Sequence, residues 1–79
     1  MVTLEEFLDE EVNQPVKDLI MNDLDKIKGK EQHELIFNRY SLNFFPQRDK
    51  VIIYDDVFFE EQPLELTIST FSEQIRKHH

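Results

Sequence analysis

The apolar residues change period at Leu35, and that change restricts the chain to folds that mix helix and sheet. Upstream, Val16, Leu19, Ile20, Leu24 and Ile27 recur at spacings of 3, 1, 4 and 3, which puts them along one side of a helix. Downstream, Ile36, Tyr40, Leu42 and Phe44 fall at even spacings with Asn38 as the exception, which is the two-residue period of a strand. A segment patterned for one period cannot bury the same residues in the other. The two halves therefore need different secondary structures around one shared core.

The boundaries follow from capping chemistry and breakers. Thr3 with Glu6 has the form of a capping box, and predicts a short helix over 3–12 with Leu4, Phe7 and Leu8 on one face. Pro15 cannot donate a backbone hydrogen bond, but it is tolerated in a first helical turn. A second helix is therefore expected from the vicinity of Asn13 or Gln14, stopping at Gly29 after Lys26 and Lys28. The residues from Leu35 to Phe44 read as one strand, and the stretch 45–50 as a hairpin loop around Pro46. Val51, Ile52, Ile53 and Tyr54 are apolar at every position, which predicts an inner strand covered on both sides. Leu64, Leu66 and Ile68 alternate with Glu65 and Thr67 as a half-buried strand. Thr70 with Glu73 has the form of a second capping box, opening a last helix with Phe71 and Ile75 inward.

The expected fold is α+β in the order α-α-β-β-β-α, a three-stranded antiparallel meander packed against helices. Residues 1–79 form a single small domain, with 77–79 frayed. The expected core is Leu8, Val16, Leu19, Ile20, Leu24, Leu42, Phe44, Ile53, Leu66, Ile68, Phe71 and Ile75. A chain of 79 residues buries a smaller fraction of its surface than a larger domain does, so stability is expected to be marginal or assisted by a partner.

Much chemistry is excluded. There is no Cys and one Gly, which removes disulfides, thiolate metal sites and glycine-rich phosphate loops. Asp23, Asp25 and Glu34 touch the pattern of a calcium loop, but Ile27 and Gly29 fall at the wrong places for it. His33 reads as a solvated loop histidine. Neighbouring carboxylates such as Asp55 and Asp56 would point to opposite faces of a strand, which does not suit paired acid–base catalysis. No enzyme activity, cofactor or metal is expected. No apolar run is long enough to cross a membrane and no leader is visible, so a cytoplasmic location is expected. Richness in Ile, Phe, Asn, Lys and Glu without Ala fits an AT-rich coding sequence, bacterial or phage.

Charge carries the functional reading. The formal net charge is −8, from 17 acidic and 9 basic side chains. Residues 1–34 hold ten acids and four lysines, and residues 51–68 hold five acids and no base. Between them lie Arg39, Arg48 and Lys50, read as a basic hairpin. Such a field repels nucleic acid and attracts basic proteins.

Two functions compete. The first is a non-catalytic acidic binding module, an inhibitor, immunity-type protein or adaptor that occludes a basic, nucleic-acid-binding partner. Its expected partner surface is Asp55, Asp56, Phe58, Phe59, Glu60 and Glu61, an aromatic pair ringed by acids with no base nearby. The second is a self-associating structural protein or a small subunit of a larger assembly. It would form a homodimer through Phe37 on an uncovered face of the first strand.

Overall fold

The computed structural model describes residues 1–78. Helix α1 spans Leu4–Glu11 and helix α2 spans Gln14–Lys26. Four strands follow: β1 His33–Ile36, β2 Tyr40–Phe45, β3 Lys50–Asp55 and β4 Leu64–Thr67. Helix α3, Ile68–Lys77, closes the chain. The sheet has four strands in the order β1-β2-β3-β4, every neighbour antiparallel. The α+β class stands, but the sheet has one strand more than the meander expected from sequence.

The extra strand comes from a turn at Asn38 and Arg39. Ile36 pairs with Ser41, and the Phe37 N–H donates to the Tyr40 carbonyl at 2.8 Å. The chain thus reverses over two residues, where sequence reading had continued the strand. Such a turn also changes parity. In a straight strand Ile36 would share a face with Tyr40, Leu42 and Phe44. Across the hairpin, Leu35 and Phe37 take that face and Ile36 moves to the other, where it is 70% exposed.

Two other boundaries differ for local reasons, while the start of α1 is as expected. Thr67, one turn before Thr70, caps α3 by accepting the Thr70 N–H at 3.0 Å, so Ile68 is the first residue of the helix. At α1 the Thr3 hydroxyl accepts the Glu6 N–H at 3.2 Å, half of a capping box. The end of α2 does not use Gly29 in a left-handed conformation; Ile27 caps the helix and accepts the Lys30 N–H at 2.9 Å. The positive φ falls instead on Asp49, at 50°, after a 3-10 turn over Pro46–Arg48. Asp is among the few non-glycine residues that tolerate it. Its carboxylate accepts the Ser69 N–H at 3.2 Å, joining this turn to the start of α3.

All three helices lie on one face of the sheet. Phe7 and Leu8 of α1, Ile20 of α2, and Phe71 and Ile75 of α3 pack on Tyr40, Leu42, Phe44, Val51 and Ile53. The Phe7 ring meets Tyr40 edge-on at 5.4 Å, and Phe44 meets Phe71 at 5.7 Å. Val2, Val12 and Ile27 complete the buried set. Val2 is held at the chain start by its N–H to the Gln62 carbonyl at 3.0 Å. Leu19, expected inside, is 46% exposed, because α2 turns Ile20 rather than Leu19 to the sheet. Lys77 is helical rather than frayed, and Lys17 donates to the Arg76 and His78 carbonyls, each at 2.9 Å. His79, expected to fray with Lys77 and His78, lies outside the described residues.

Because the helices share one side, β3 is not covered on both. Val51 and Ile53 are buried, while Ile52 and Tyr54 are only half-buried on the opposite face. Phe37 sits on the helix side, its ring 6.3 Å from Phe7. It is half-buried in this chain's own packing and does not belong to the uncovered face of the sheet. His33 is half-buried at the start of β1 and forms a hydrogen bond with Asp23 of α2 at 2.9 Å. It ties helix to sheet, and is not the solvated loop residue expected.

Candidate functional site

The open face of the sheet is set by register. Across the ladder, Glu34, Asn43, Ile52 and Glu65 stand in one row, and Ile36, Ser41 and Tyr54 in the next. Strand β2 alternates large residues inward (Tyr40, Leu42, Phe44) with smaller ones outward (Ser41, Asn43). The flanking strands present longer side chains: Glu34 and Ile36 on β1, Ile52 and Tyr54 on β3. A trough therefore runs along β2, about 10 Å between its flanking strands. Its end is closed by the loop after β3. The resulting hollow has a volume of about 430 Å³ and is lined by Glu34, Ser41, Asn43, Tyr54, Asp55, Asp56, Phe59, Glu61 and Pro63.

The loop after β3 contains the residues singled out from sequence, and they divide into two kinds. Asp55 is buried and faces the helix side. One of its oxygens accepts from the Arg39 Nε and Nη2 at 3.0 and 2.8 Å, the other from the Val57 and Phe58 N–H groups at 3.0 and 2.9 Å. Arg39 also pairs with Glu10, and its N–H donates to Glu11 at 2.7 Å. The Arg39 carbonyl accepts from the Asp56 N–H at 2.7 Å. Asp55 is thus a structural clamp that joins the β1–β2 turn, α1 and the loop, and is unavailable to a partner. The hydrogen bonds from Arg39 hold its carboxyl below the usual carboxylate range, outweighing burial, with the Phe58 and Val57 N–H groups assisting. The same pairing raises the Arg39 guanidinium above its ordinary value. Beside it, burial pushes the Tyr40 hydroxyl up to about 12.

Asp56, Phe58, Phe59, Glu60 and Glu61 are exposed. Phe59 is 81% exposed and Phe58 56%, with Val57 beside them. The segment is a turn rather than an extended strand, closed by the Glu61 N–H on the Phe58 carbonyl at 2.9 Å, so neither Phe is forced inward. A base does stand nearby, contrary to the sequence reading: the Arg39 guanidinium lies 4.9 Å from the Phe58 ring centre. It is committed to Asp55 and Glu10 and makes no ion pair with the outer carboxylates. Asp56 accepts from the Ser41 hydroxyl, and Glu61 pairs with the Met1 amino group.

The open face as a whole carries Glu34, Asp56, Glu60, Glu61 and Glu65 against Lys50 and Arg48. Lys50 is paired with Glu65 at 3.3 Å. Sequence reasoning put Ser41 and Asn43 on an uncovered face of the first strand but grouped Phe37 with them and missed Glu34 and Ile36, because the hairpin was read as continuous strand; Ile52 and Tyr54 were missed because β3 was expected to be covered on both sides. Arg39 and Arg48, read as parts of one basic hairpin, stand in different turns. Among the described residues, no group of three His, Asp or Glu side chains is arranged to hold a metal, and no helix is long and apolar enough to cross a membrane. No protein-family model matches this sequence, and no curated protein or solved structure matches it either.

Proposed function

We propose that the chain is a non-catalytic acidic binding module, an inhibitor, immunity-type protein or adaptor that occludes a basic, nucleic-acid-binding protein. The observation that carries this reading is the one-sided sheet. Three helices cover one face, and the other leaves Ile36, Ile52, Tyr54 and the turn at 57–59 open beneath a rim of carboxylates. Exposed apolar surface of this kind gains from burial by a partner. The rim selects a partner of positive charge and speeds its approach. Asp56, Phe58, Phe59, Glu60 and Glu61 remain the proposed contacts, joined by Glu34, Ile36 and Tyr54.

The perturbed ionisable groups, Asp55, Arg39, Tyr40 and Glu73, are spent on holding the turn, the core and a pairing with Lys77 along α3, which supports binding rather than catalysis. The alternative, a self-associating structural protein or small subunit, has weaker support. Stacking two copies through this face would bring an excess of carboxylates together. A cytoplasmic protein of bacterial or phage origin, with no direct contact to nucleic acid or membrane, completes the proposal.

The test is affinity capture from the native source at low salt, comparing the wild type with a variant carrying Asp56→Ser, Glu60→Ser and Glu61→Ser. The expected result is a basic protein retained by the wild type, released by salt and lost by the folded variant. Retention of that protein by the variant with undiminished affinity would remove the acidic rim from the account.

A further inference from the structure

We propose that the trough over β2 is a slot for one arginine side chain of the basic partner. This rests on reading the open face as a docking surface, and it names the group that face receives. The floor is low because Ser41 and Asn43 are the outward residues of β2, between Glu34 and Ile36 on one side and Ile52 and Tyr54 on the other. A long side chain can lie along this floor with its stem over Asn43, between Glu34 and Ile52. Its head then reaches the Ser41 and Tyr54 row, where Asp56, Phe59 and Glu61 complete the lining of the hollow.

The lining distinguishes between the two long cations. A guanidinium is planar, stacks on aromatic faces, and donates in a fork that matches a carboxylate. Tyr54 and Phe59 supply aromatic faces, and the three carboxylates supply acceptors. An ammonium would use the charge but not the aromatic walls to the same degree. Asp56 is already oriented by the Ser41 hydroxyl, so one acceptor is positioned before the ligand arrives. The occupant is therefore a partner's arginine rather than a second copy, whose approach the carboxylate excess opposes.

The experiment uses the full chain and capped Gly-Arg-Gly, with Gly-Lys-Gly and Gly-citrulline-Gly as comparisons, followed by residue-resolved NMR shifts. The arginine peptide is expected to give saturable shifts at Glu34, Ser41, Asn43, Tyr54 and Phe59. The lysine peptide should bind at least threefold more weakly, and the citrulline peptide should leave these signals unmoved. Asn43→Leu fills the trough at unchanged net charge and should weaken arginine binding about tenfold. Glu34→Gln, at an exposed site, should weaken it severalfold and guards against a misfolded Asn43 variant.

Equal binding of arginine and lysine overturns the slot. So do equal shifts with citrulline, unsaturable shifts spread over all acidic surfaces, or full binding by folded Asn43→Leu. Concentration-dependent dimerisation that blocks the peptide overturns it in favour of a second copy. If the peptide fails while the basic partner is still captured through the acidic rim, the slot is wrong and the docking surface stands. If capture fails as well, both fall.

Discussion

The two faces of the sheet are built from alternate residues of the same strands, yet they do different work. On the covered face Tyr40, Leu42, Phe44, Val51 and Ile53 are fully buried against three helices. On the other face no helix packs on their immediate neighbours: Asn43, Ile52 and Tyr54 are half-buried, and Ser41 is buried at the floor of the trough beneath longer side chains. Stability is concentrated on the first face and availability on the second. The division is sharpest at Asp55 and Asp56. The first carboxylate is locked under Arg39 and two backbone N–H groups, and the second is exposed at the mouth of the trough. Adjacent acids of equal charge therefore serve opposite ends.

The largest expected effect lies in the covered layer. Phe44→Ala removes a ring from the contact with Phe71 and should cost about 3–5 kcal/mol, read from urea denaturation. In a chain this small such a loss can abolish folding. The partly buried Leu66, expected from sequence to be core, should cost less than Phe44 on truncation. A loss below 1 kcal/mol at Phe44 would mean that the helices do not form the closed layer described.

Next in size is the clamp. Asp55→Asn weakens the pairing with Arg39 and should cost on the order of 2 kcal/mol. Because the folded carboxyl is held below its ordinary value of 3.8, the stability it supplies is present above that value. It is lost as pH falls through the lowered folded value. Wild type should therefore lose more stability between pH 7 and pH 3 than Asp55→Asn does. Equal losses would take Asp55 out of the acid transition.

Tyr40 provides an alkaline counterpart. Its folded value near 12 stands above the ordinary value of 10. Its contribution is thus complete below pH 10 and declines as pH rises through about 12. Ultraviolet titration of Tyr54→Phe isolates the Tyr40 phenolate, which should appear only near pH 12 or with unfolding. A phenolate at pH 10 in the folded protein would contradict its burial.

The smallest effect is expected on the open face. Ile36→Thr keeps a strand-forming residue at an exposed site, and should change stability by less than about 0.5 kcal/mol. A cost above 1.5 kcal/mol would show that this face is covered after all.

Sequence carried the helical half well because its signals are local. Thr3 and Asn13 cap within three residues of themselves, and Pro15 marks the first turn of α2. The strand half was less legible. Asn38 broke the alternation, but Arg39 and Tyr40 resumed an even spacing that concealed the reversal. That hairpin flips Ile36 outward and Phe37 inward, so one unrecognised turn misassigned which residues of the first strand share the open face. Thr67 was missed as a cap because it and Ile68 also fit the alternation of a strand. Arg39 was counted as surface charge because its partners, Glu10 and Asp55, lie 29 and 16 residues away in the chain. Long-range pairing of that kind leaves no local spacing to read. The exposure of both Phe58 and Phe59 was not legible, because adjacent residues of an extended segment face opposite ways and expose only one ring, whereas the turn releases both.

The central claim is that the uncovered face, and not the acidic helices, receives the partner. Carboxyl labelling with a carbodiimide, read residue by residue in the free chain and in complex with the captured basic protein, tests it directly. The account predicts protection of Glu34, Asp56, Glu60 and Glu61, with Asp9, Asp18 and Asp25 on the helices labelled as before. Protection of the helix acids with the open face still fully labelled would contradict it.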